Sequence, residues 1–269
     1  MRRARTIAGL RAALEPYRDG SEIGLVPTMG ALHAGHVSLF RAARAECDVV
    51  VATIFVNPAQ FAPTEDFDAY PRDVEGDSRV AEQAGVDLLF LPTADEIYPE
   101  GFQTWVEVEK IGSGMEGDAR PGHFRGVATV CLKLFNIVRP HRAYFGQKDA
   151  QQAEVIDRMT HDLNLQLEVR VLPTVRDTDG LALSSRNRYL SAEEREAARA
   201  LPRALFGAET AFRKGDDPVA AARRLLANEP RLEIEYVELA QLNGRLVLAA
   251  AARTGGTRLI DNVILKGAV

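Results

Sequence analysis

Cysteine is scarce in this 269-residue chain, which contains only Cys47 and Cys131. Cys47 lies in a helix-like stretch before an apolar run, and Cys131 lies within an apolar helical pattern. Both are expected to be buried free thiols in a reducing compartment, so a disulfide framework is not expected. Neither thiol is assigned a role.

The sequence also lacks a long hydrophobic run. Its longest apolar stretch, Val49 to Val56, has eight residues including Thr53, whereas a membrane-spanning helix needs about 20. Met1 to Arg5 carries positive charge, but no apolar core typical of a signal peptide follows it. We therefore expect a cytoplasmic protein with no membrane partner.

An excess of positive charge is missing as well. The formal net charge is -5, which gives no electrostatic footprint for nucleic acid. Hydrophobic residues at 46% and charged residues at 26% are ordinary for a soluble globular enzyme. The length allows one large domain, or a large domain and a small one.

The most informative stretch is Val26 to His36, which reads Val-Pro-Thr-Met-Gly-Ala-Leu-His-Ala-Gly-His. The apolar run Ile23 to Val26 predicts a buried strand, and apolar residues recur at helical spacing after His36. At a helix start, free N–H groups and the helix dipole favour an anion, and Gly30 and Gly35 let the backbone approach a ligand. Two imidazoles at this turn could donate hydrogen bonds to phosphate oxygens.

A structural interpretation of this turn stays open, in which His33 and His36 are partly exposed residues of a helix-capping turn. A zinc site is disfavoured. The zinc-binding pattern places two histidines four residues apart within a helix and beside a glutamate, whereas His33 and His36 are three apart across Gly35.

A second strand is predicted over Asp48 to Val56, because its β-branched run is typical of a strand buried on both faces of a parallel sheet. Asn57 to Gln60 would follow its carboxyl end, where ligands bind in doubly wound sheets. Asn57 and Gln60 are thus placed to contact substrate. The alternative is a turn that Asn57 caps.

The same order recurs downstream, with a short strand over Arg142 to Phe145 and a helix over Ala150 to Leu163. In the turn between them, Lys148 could reach phosphate as a point charge, and Asp149 could cap the helix or hold the lysine. Gln152 would face the same cleft. An ordinary helix cap with a surface lysine is the alternative.

Gly112 to Gly117 matches the dinucleotide-binding pattern of glycines, and Thr104 to Glu109 alternates like a strand. We do not expect a dinucleotide site, because Asp118 to Gly122 follows at once and no helix is expected to open from the glycines. A mobile loop is predicted instead. Arg120, His123 and Arg125 at its end could meet an anionic substrate, or be solvated loop charges.

The pattern changes after a last strand at Leu167 to Leu172 and a polar connection from Pro173 to Asn187. Neither Ser184 nor Ser185 lies in the elbow motif of a serine nucleophile. The capping box at Ser191 predicts a long helix to about Arg213. A second helix is predicted over Asp217 to Asn228, and three strands over Leu232 to Leu239, Arg245 to Ala250 and Thr257 to Leu265.

Helices and strands in separate blocks indicate an α+β unit. The predicted fold is therefore α/β, a Rossmann-like doubly wound parallel sheet with a second, smaller α+β domain. The sequence places the first domain at residues 1–175 and a small lid domain at residues 176–269.

Several segments resemble one family in order along the chain. The turn closely resembles the His-x-Gly-His signature of the nucleotidylyltransferase superfamily, and in its fuller form the pantothenate synthetase (pantoate-β-alanine ligase) family. The resemblance spans roughly residues 22 to 262. The other matching segments are Phe55–Phe61, Arg120–Val127, Phe145–Asp149, Leu183–Asn187 and Gly256–Asn262.

The resemblance implies ATP-dependent condensation of pantoate with β-alanine through pantoyl adenylate, with release of AMP and pyrophosphate. It implies His36 as proton donor, and roles in the chemistry for His33, Lys148 and Arg186. Mg²⁺ is expected with ATP, held by Asp149 directly or through water. The positions that match the family's ATP-binding residues are Met29, Gly30, Ala31, Leu32, His33, Ala34, Gly35, His36, Gly146, Gln147, Lys148, Asp149, Val175, Leu183, Ser184, Ser185 and Arg186.

Substrate binding is expected at Gln60, Gln152, Asn57 and His123, with the two glutamines matching the family's pantoate-binding residues and Gln60 also shared with β-alanine. Two positions depart from the family's pattern. Ala34 stands where an acidic residue is frequent, and Gln147 where glutamate is frequent. Either change could shift a KM, but neither removes a group assigned to chemistry.

Two other functions are compatible with a His-x-Gly-His turn. A plain nucleotidylyltransferase would retain the nucleotide in its product, and the Arg120 and Asn57 segments argue against it. A nucleotide sensor without turnover is disfavoured because both histidines, Lys148 and Arg186 are all present. The resemblance further implies a homodimer through the N-terminal domains.

Overall fold

The computed structural model describes residues 1–63, 65–242 and 244–267. The chain forms two compact units. The first comprises Met1–Phe145 and Val155–Leu172, and the second comprises Gly146–Glu154 and the chain from Pro173 onward. The turn after Phe145 thus groups with the second unit rather than with the strand that precedes it.

The first unit is built on a six-stranded sheet, in the order β1-β4-β3-β2-β5-β6. The neighbours β1 and β4, β4 and β3, β3 and β2, and β2 and β5 pair in parallel. The strands are β1 (Arg2–Ala4), β2 (Ile23–Val26), β3 (Val49–Thr53), β4 (Leu88–Phe90), β5 (Arg142–Gly146) and β6 (Glu168–Leu172). This confirms the predicted doubly wound parallel sheet.

Seven α-helices connect these strands along the described chain. Short 3₁₀ helices cover Glu15–Tyr17, Pro58–Gln60 and Gln147–Asp149. The α-helices are α1 (Ile7–Leu14), α2 (Ala34–Glu46), α3 (Val74–Gln83), α4 (Ala94–Ile97), α5 (Met115–Ala119), α6 (His123–Val138) and α7 (Ala150–Asp162).

The core of this unit lies between the sheet and its helices. Every residue of β3 is buried, as its β-branched sequence predicts. Phe40 of α2 packs in one buried cluster with Val50 of β3 and Leu89 of β4. Strand β2 has β3 on one side and β5 on the other, so the strand order reverses there. Ligands bind doubly wound sheets at such a point, and the turn that follows β2 is therefore well placed.

Strand β1 was not predicted. Arg2 and Arg3 are exposed, and only Ala4 is buried. These three residues do not show the alternation of apolar and polar residues that predicts a strand. Pairing with β4 at the edge of the sheet, which no local pattern reveals, makes this segment a strand.

The glycine-rich stretch differs from its prediction. Helix α5 does open at Gly114, although it has only five residues, so the expectation that no helix begins there is wrong. Residues 104–108 belong to no strand, which removes the strand that a dinucleotide motif requires. The rejection of that motif therefore stands for a different reason.

The second unit contains α8 (Ala192–Ala198), α9 (Ala200–Arg213), α10 (Pro218–Leu226) and the antiparallel strands β7 (Glu233–Leu242), β8 (Arg245–Thr254) and β9 (Thr257–Lys266). This confirms the α+β pattern. The capping box of Ser191 and Glu194 is present as predicted. The predicted single long helix is instead two, because Pro202 lacks the N–H that would bond to Ala198 and its ring crowds that turn.

A buried apolar cluster forms the core of this unit, with Leu201 and Leu205 of α9 against Leu248 of β8 and Val263 of β9. Among the described residues, no helix is long and apolar enough to cross a membrane.

Candidate active site

The turn between β2 and α2 has an unusual backbone. Gly30 and Ala31 both have positive φ, at 88° and 51°, a conformation that glycine adopts freely and alanine rarely. The Thr28 hydroxyl accepts a hydrogen bond from the Gly30 N–H at 3.1 Å and donates to the Thr53 carbonyl at 2.6 Å. The turn is thereby tied to the end of β3.

The anion-binding interpretation of the sequence expected free N–H groups in this turn. In the structure, several of these N–H groups have acceptors within the protein. The Asp77 carboxylate, from α3, accepts hydrogen bonds from the N–H groups of Ala31 and Leu32 at 2.8 and 2.7 Å. The N–H groups of other residues in this turn and the first turn of α2 also have protein acceptors, namely those of Thr28, Gly30, His33, Gly35, His36 and Val37.

Both histidines take part in capping α2. The Nδ1 atom of His33 accepts from the Gly35 N–H at 3.1 Å, and the Nδ1 atom of His36 accepts from the His33 N–H at 3.3 Å. An Nδ1 atom that accepts cannot carry a proton, so each neutral imidazole carries its proton on Nε2. The two rings are close, with centroids 4.2 Å apart. The capping and the phosphate-donor interpretations are therefore compatible, because they use different ring nitrogens.

The turn after β3 holds Asn57 and Gln60 together. Asn57 is buried, and its amide nitrogen donates to Gln60 Oε1 at 3.0 Å and to the Gly126 carbonyl at 3.2 Å. Its amide oxygen accepts from the Tyr98 hydroxyl at 2.8 Å, and burial raises the pKa of that hydroxyl. Gln60 Nε2 lies 3.2 Å from Met29 Sδ. A predicted substrate-binding amide thus adjoins the predicted ATP-binding turn.

His123 was predicted to lie in a loop, but it is the first residue of α6 and is buried. Its Nδ1 lies 2.9 Å from the Gln60 carbonyl, and its Nε2 lies 3.0 Å from Arg120 Nη1. Because arginine can only donate, Nε2 accepts and the proton sits on Nδ1. Burial and, next, the charge of Arg120 lower the pKa of His123 to about 4.

Arg120 joins this group to Glu65. It donates to the two carboxylate oxygens of Glu65 at 2.7 and 2.8 Å. Burial alone would raise the pKa of Glu65, but the hydrogen bonds and charge of Arg120 lower it. The resulting chain from Glu65 through Arg120 and His123 holds the backbone of Gln60.

In the second unit, Gly146 to Asp149 form a turn held by Asn262 of β9. The Asn262 amide nitrogen donates to the carbonyls of Gln147 and Lys148, each at 2.9 Å. Its amide oxygen accepts from Gln147 Nε2 at 3.0 Å. Lys148 Nζ lies 3.4 Å from Asp149 Oδ1. Gln147 therefore serves as a buried structural amide.

Asp261, next to Asn262, anchors the connection that follows β6. Its carboxylate accepts from both terminal nitrogens of Arg176, at 2.6 and 2.9 Å. Burial raises the pKa of Asp261, and Arg176 opposes that shift. This ion pair ties the segment of Val175 to the strand that supports the Lys148 turn.

The predicted phosphate-binding serines begin a 3₁₀ helix over Ser185–Tyr189. The Ser184 hydroxyl accepts from the Arg186 N–H at 3.3 Å, and Asn187 Nδ2 donates to the Ala182 carbonyl at 3.0 Å. The Leu183 N–H donates to the Val175 carbonyl at 3.0 Å. Val175 and Leu183, two predicted ATP-binding positions, are thus direct neighbours.

The predicted site residues divide between the units. His33, His36, Asn57, Gln60 and His123 belong to the first unit with Met29 to Gly35, and Gly146 to Asp149, Gln152, Val175 and Leu183 to Arg186 belong to the second. Within residues 1–63, 65–242 and 244–267, no cluster of three or more His, Cys, Asp or Glu side chains could hold a metal ion.

Sequence reasoning missed Asp77. The residue is buried on the same helix as Ser78 and Ala81, so the available signal was a carboxylate on the otherwise apolar or small face of an amphipathic helix. Asn262 and Tyr98 were also missed as supporting residues, and neither carries a local sequence signal.

Comparison with known proteins identifies the family. The profile of the pantoate-beta-alanine ligase family matches residues 2–264. The chain is 53% identical to a pantothenate synthetase of Pelotomaculum thermopropionicum, with 97% of each chain covered. It is 51% identical to a pantothenate synthetase of Acidobacterium capsulatum, with 98% of this chain and 97% of that one covered.

Solved structures agree. A crystal structure of pantothenate synthetase from Thermus thermophilus superposes with a TM-score of 0.95 at 45% identity, covering 99% of this chain and 100% of that one. A pantoate-beta-alanine ligase from Francisella tularensis, complexed with beta-gamma ATP and beta-alanine, has a TM-score of 0.85 at 35% identity, with 100% and 99% covered. The chain belongs to the pantoate-β-alanine ligase family.

Proposed function

We propose that this protein condenses pantoate with β-alanine at the expense of ATP, forming pantothenate, AMP and pyrophosphate. The observation that carries the proposal is the contact of Gln60 Nε2 with Met29 Sδ at 3.2 Å, which sets an amide for the acid substrate beside the turn of the two histidines. Adenylation needs this juxtaposition, because a carboxylate must reach the α-phosphorus of ATP. The relative from Francisella tularensis, complexed with beta-gamma ATP and beta-alanine, supports both as substrates.

In the first step, an oxygen of the pantoate carboxylate attacks the α-phosphorus, and the bond from that phosphorus to the bridging oxygen of pyrophosphate breaks. His33 and His36 donate from Nε2 to the phosphate oxygens as negative charge gathers on them. Both rings are fixed in this tautomer before substrate arrives, since their Nδ1 atoms cap α2. Donors oriented in advance need no reorganisation during the reaction.

In the second step, the amine nitrogen of β-alanine attacks the acyl carbon of pantoyl adenylate. An amide bond forms, AMP leaves with the former carboxylate oxygen, and the amine loses a proton. Neither step needs a nucleophile from the protein. Gln60, Gln152 and Asn57 would bind or position pantoate, and Gln60 would also contact β-alanine. Contact of His123 with substrate stays a prediction, and its position behind Gln60 supports an indirect effect.

The second unit supplies a further set of phosphate-binding groups, in which Lys148, Ser184, Ser185 and Arg186 would stabilise charge on the phosphates. Mg²⁺ is part of the proposal. Asp149 is nearly half exposed beside Lys148, and one carboxylate with phosphate oxygens is a donor set that suits Mg²⁺. When bound, the ion would neutralise phosphate charge. The homodimer and the cytoplasmic location also stay predictions, and sedimentation would test the first.

The deciding experiment follows the nucleotide products with pantoate, β-alanine, ATP and Mg²⁺ present. We expect stoichiometric AMP and pyrophosphate with pantothenate, and pantoate-dependent exchange of pyrophosphate into ATP when β-alanine is omitted. ADP as the product, or a product that keeps the nucleotide, would contradict the proposal and favour a kinase or a plain nucleotidylyltransferase.

A further inference from the structure

Asp77 is a buried carboxylate directly behind the histidine turn. Its side chain is 5% exposed, and its two oxygens accept from two successive backbone N–H groups, those of Ala31 and Leu32. Hydrogen bonds from N–H groups to an ionised carboxylate are stronger than bonds between neutral groups. The carboxylate therefore occupies the turn's backbone donors in the way a bound anion would.

The same turn contains the strain that such bonds would offset. Ala31 has a φ of 51°, and the Cβ of an alanine at Gly30 would lie 2.8 Å from Asp77 Oδ2 and 3.0 Å from Ile54 Cγ2. The two left-handed residues point both N–H groups at the carboxylate. Without that acceptor, the strained conformation of Ala31 loses its principal hydrogen-bond compensation.

The consequence for ATP is that the phosphates do not bind to these two N–H groups. A fixed negative charge behind the turn also disfavours an anion at that spot. The side-chain donors of the turn are the Nε2–H groups of His33 and His36, whose orientation depends on the backbone from Gly30 to Gly35.

Resting on the function proposed above, we propose that Asp77 is a positioning residue for adenylation. It closes the backbone of the turn to phosphate and fixes the turn so that both imidazoles present Nε2–H to the α- and β-phosphates. Asp77 touches neither substrate. Its effect is on the rate of adenylyl transfer rather than on the binding of phosphate.

The first test uses the unmodified protein and amide hydrogen exchange measured by NMR. The amides of Ala31 and Leu32 are expected to be protected without ligand, and α,β-methylene ATP should not protect them further. Added protection of these two amides on binding the analogue would overturn the proposal, because it would show that phosphate takes the place of Asp77. This test does not depend on a variant that folds, and it stands even if the protein makes no pantothenate.

The second test uses Asp77→Asn, which keeps the shape but leaves one acceptor for two N–H groups. A displacement of about 1 Å costs about 10²-fold in rate, so pantoate-dependent pyrophosphate exchange should fall about 10²-fold. Affinity for inorganic pyrophosphate should stay within about threefold of that of the unmodified protein, since removal of a buried negative charge does not weaken the binding of an anion.

The matched control is Asp87→Asn. The Asp87 carboxylate accepts from the Val50 N–H at 2.8 Å and pairs with Arg44, so the variant loses a comparable bond in the same unit, away from the turn. Its exchange rate should stay near that of the unmodified protein. Equal rates for Asp77→Asn and Asp87→Asn, or a loss of pyrophosphate affinity as large as the loss of rate, would overturn the proposal. Absence of exchange in the unmodified protein would instead refute the proposed function.

Discussion

The turn after β2 and the turn after β5 share one arrangement of strand, turn and helix, yet they are held by groups of opposite polarity. In the first, backbone donors bond to a buried carboxylate, that of Asp77. In the second, backbone acceptors bond to a buried amide donor, that of Asn262. The partner in each case comes from a distant part of the same unit, from α3 or from β9.

This difference shows which group each turn can offer to a phosphate. In the first turn the N–H groups of Ala31 and Leu32 are occupied, and the side chains it offers are two imidazoles with fixed tautomers. The second turn has its carbonyl groups occupied by a neutral partner, and it carries the Lys148 ammonium, which lies 3.4 Å from the partly exposed Asp149 carboxylate. The first turn thus provides oriented dipoles and the second a charge.

The largest effect is expected from removing that charge. Loss of a preorganised charge typically costs about 3 to 4 kcal/mol of transition-state stabilisation. Lys148→Ala should therefore slow pantoate-dependent exchange of pyrophosphate into ATP by about 10² to 10³. Lys214→Ala, at an exposed lysine of the same unit, is the matched control and should be unaffected.

Supplying synthetic pantoyl adenylate separates the two steps for Lys148→Ala. Attack of β-alanine should suffer less, because charge then develops on the acyl oxygen and the leaving AMP. If the variant is as impaired on the supplied intermediate as on ATP and pantoate, the lysine serves both steps or the fold, and the contrast between the two turns fails.

The second largest effect concerns the support of Gln60 in the first unit. With a pKa of about 4, folded His123 stays neutral while the unfolded side chain titrates near its ordinary value of about 6.5. The unfolded state therefore binds more protons between these values, and the free energy of unfolding falls as pH falls through that window. The full shift corresponds to about 3 kcal/mol.

Urea unfolding of the protein and of His123→Gln between pH 4 and 7 measures this effect. The variant should lose the pH dependence that His123 contributes, whereas His161→Gln, at a histidine whose side chain is 80% exposed, should keep it. Parallel stability curves for the protein and His123→Gln would contradict the buried, neutral state of this ring.

The strands and helices that flank the two turns could be predicted from the sequence. Strands β2, β3 and β5 are short apolar runs, and α2 and α7 follow at helical spacing, so the local pattern already places His36 and Lys148 at strand ends. The pattern failed where structure depends on distant contacts. Strand β1 exists because it pairs with β4. The break between α8 and α9 is different, because Pro202 is a local signal that the sequence itself contains.

The supports of the site were beyond prediction for the same reason. Asp77 lies about 45 residues from the N–H groups it holds, and Asn262 about 115 residues from its carbonyl partners. His123 was expected in a loop, because the glycines before it obscure the start of α6. A sequence shows which side chains are available, but the partner of a buried polar group is set by tertiary structure.

A smaller effect is expected from substitution of Gln152, which lies on α7, the helix that follows the turn of Lys148. Partners left unpaired in a closed site cost about 1 to 3 kcal/mol, so Gln152→Ala should weaken pantoate binding by roughly 5- to 150-fold. Binding of ATP should change much less. Calorimetry with each substrate measures both, and Gln166→Ala, a glutamine outside the predicted site, is the control. Equal losses for pantoate and ATP would count against a pantoate-binding role.

The smallest effect, one of dynamics rather than of rate, should distinguish the turn held by Asp77 from the serine segment of the second unit. Ser184 to Asn187 lie at the start of a short 3₁₀ helix, where the Ser184 hydroxyl accepts from the Arg186 N–H and Asn187 Nδ2 donates to the Ala182 carbonyl. Loops that close over substrates are drawn from the less stable parts of a fold, and this segment connects β6 to the helices of the second unit. Binding of ATP with pantoate should therefore slow amide exchange across these four residues, while exchange at Ala31 and Leu32 stays unchanged.

Mass spectrometry of exchanged peptides covers the segment from Ser184 to Asn187, and NMR resolves the amides of Ala31 and Leu32. If exchange from Ser184 to Asn187 is the same with and without ligands, this segment does not close over ATP, and the serines contribute from a conformation as fixed as that of the histidines.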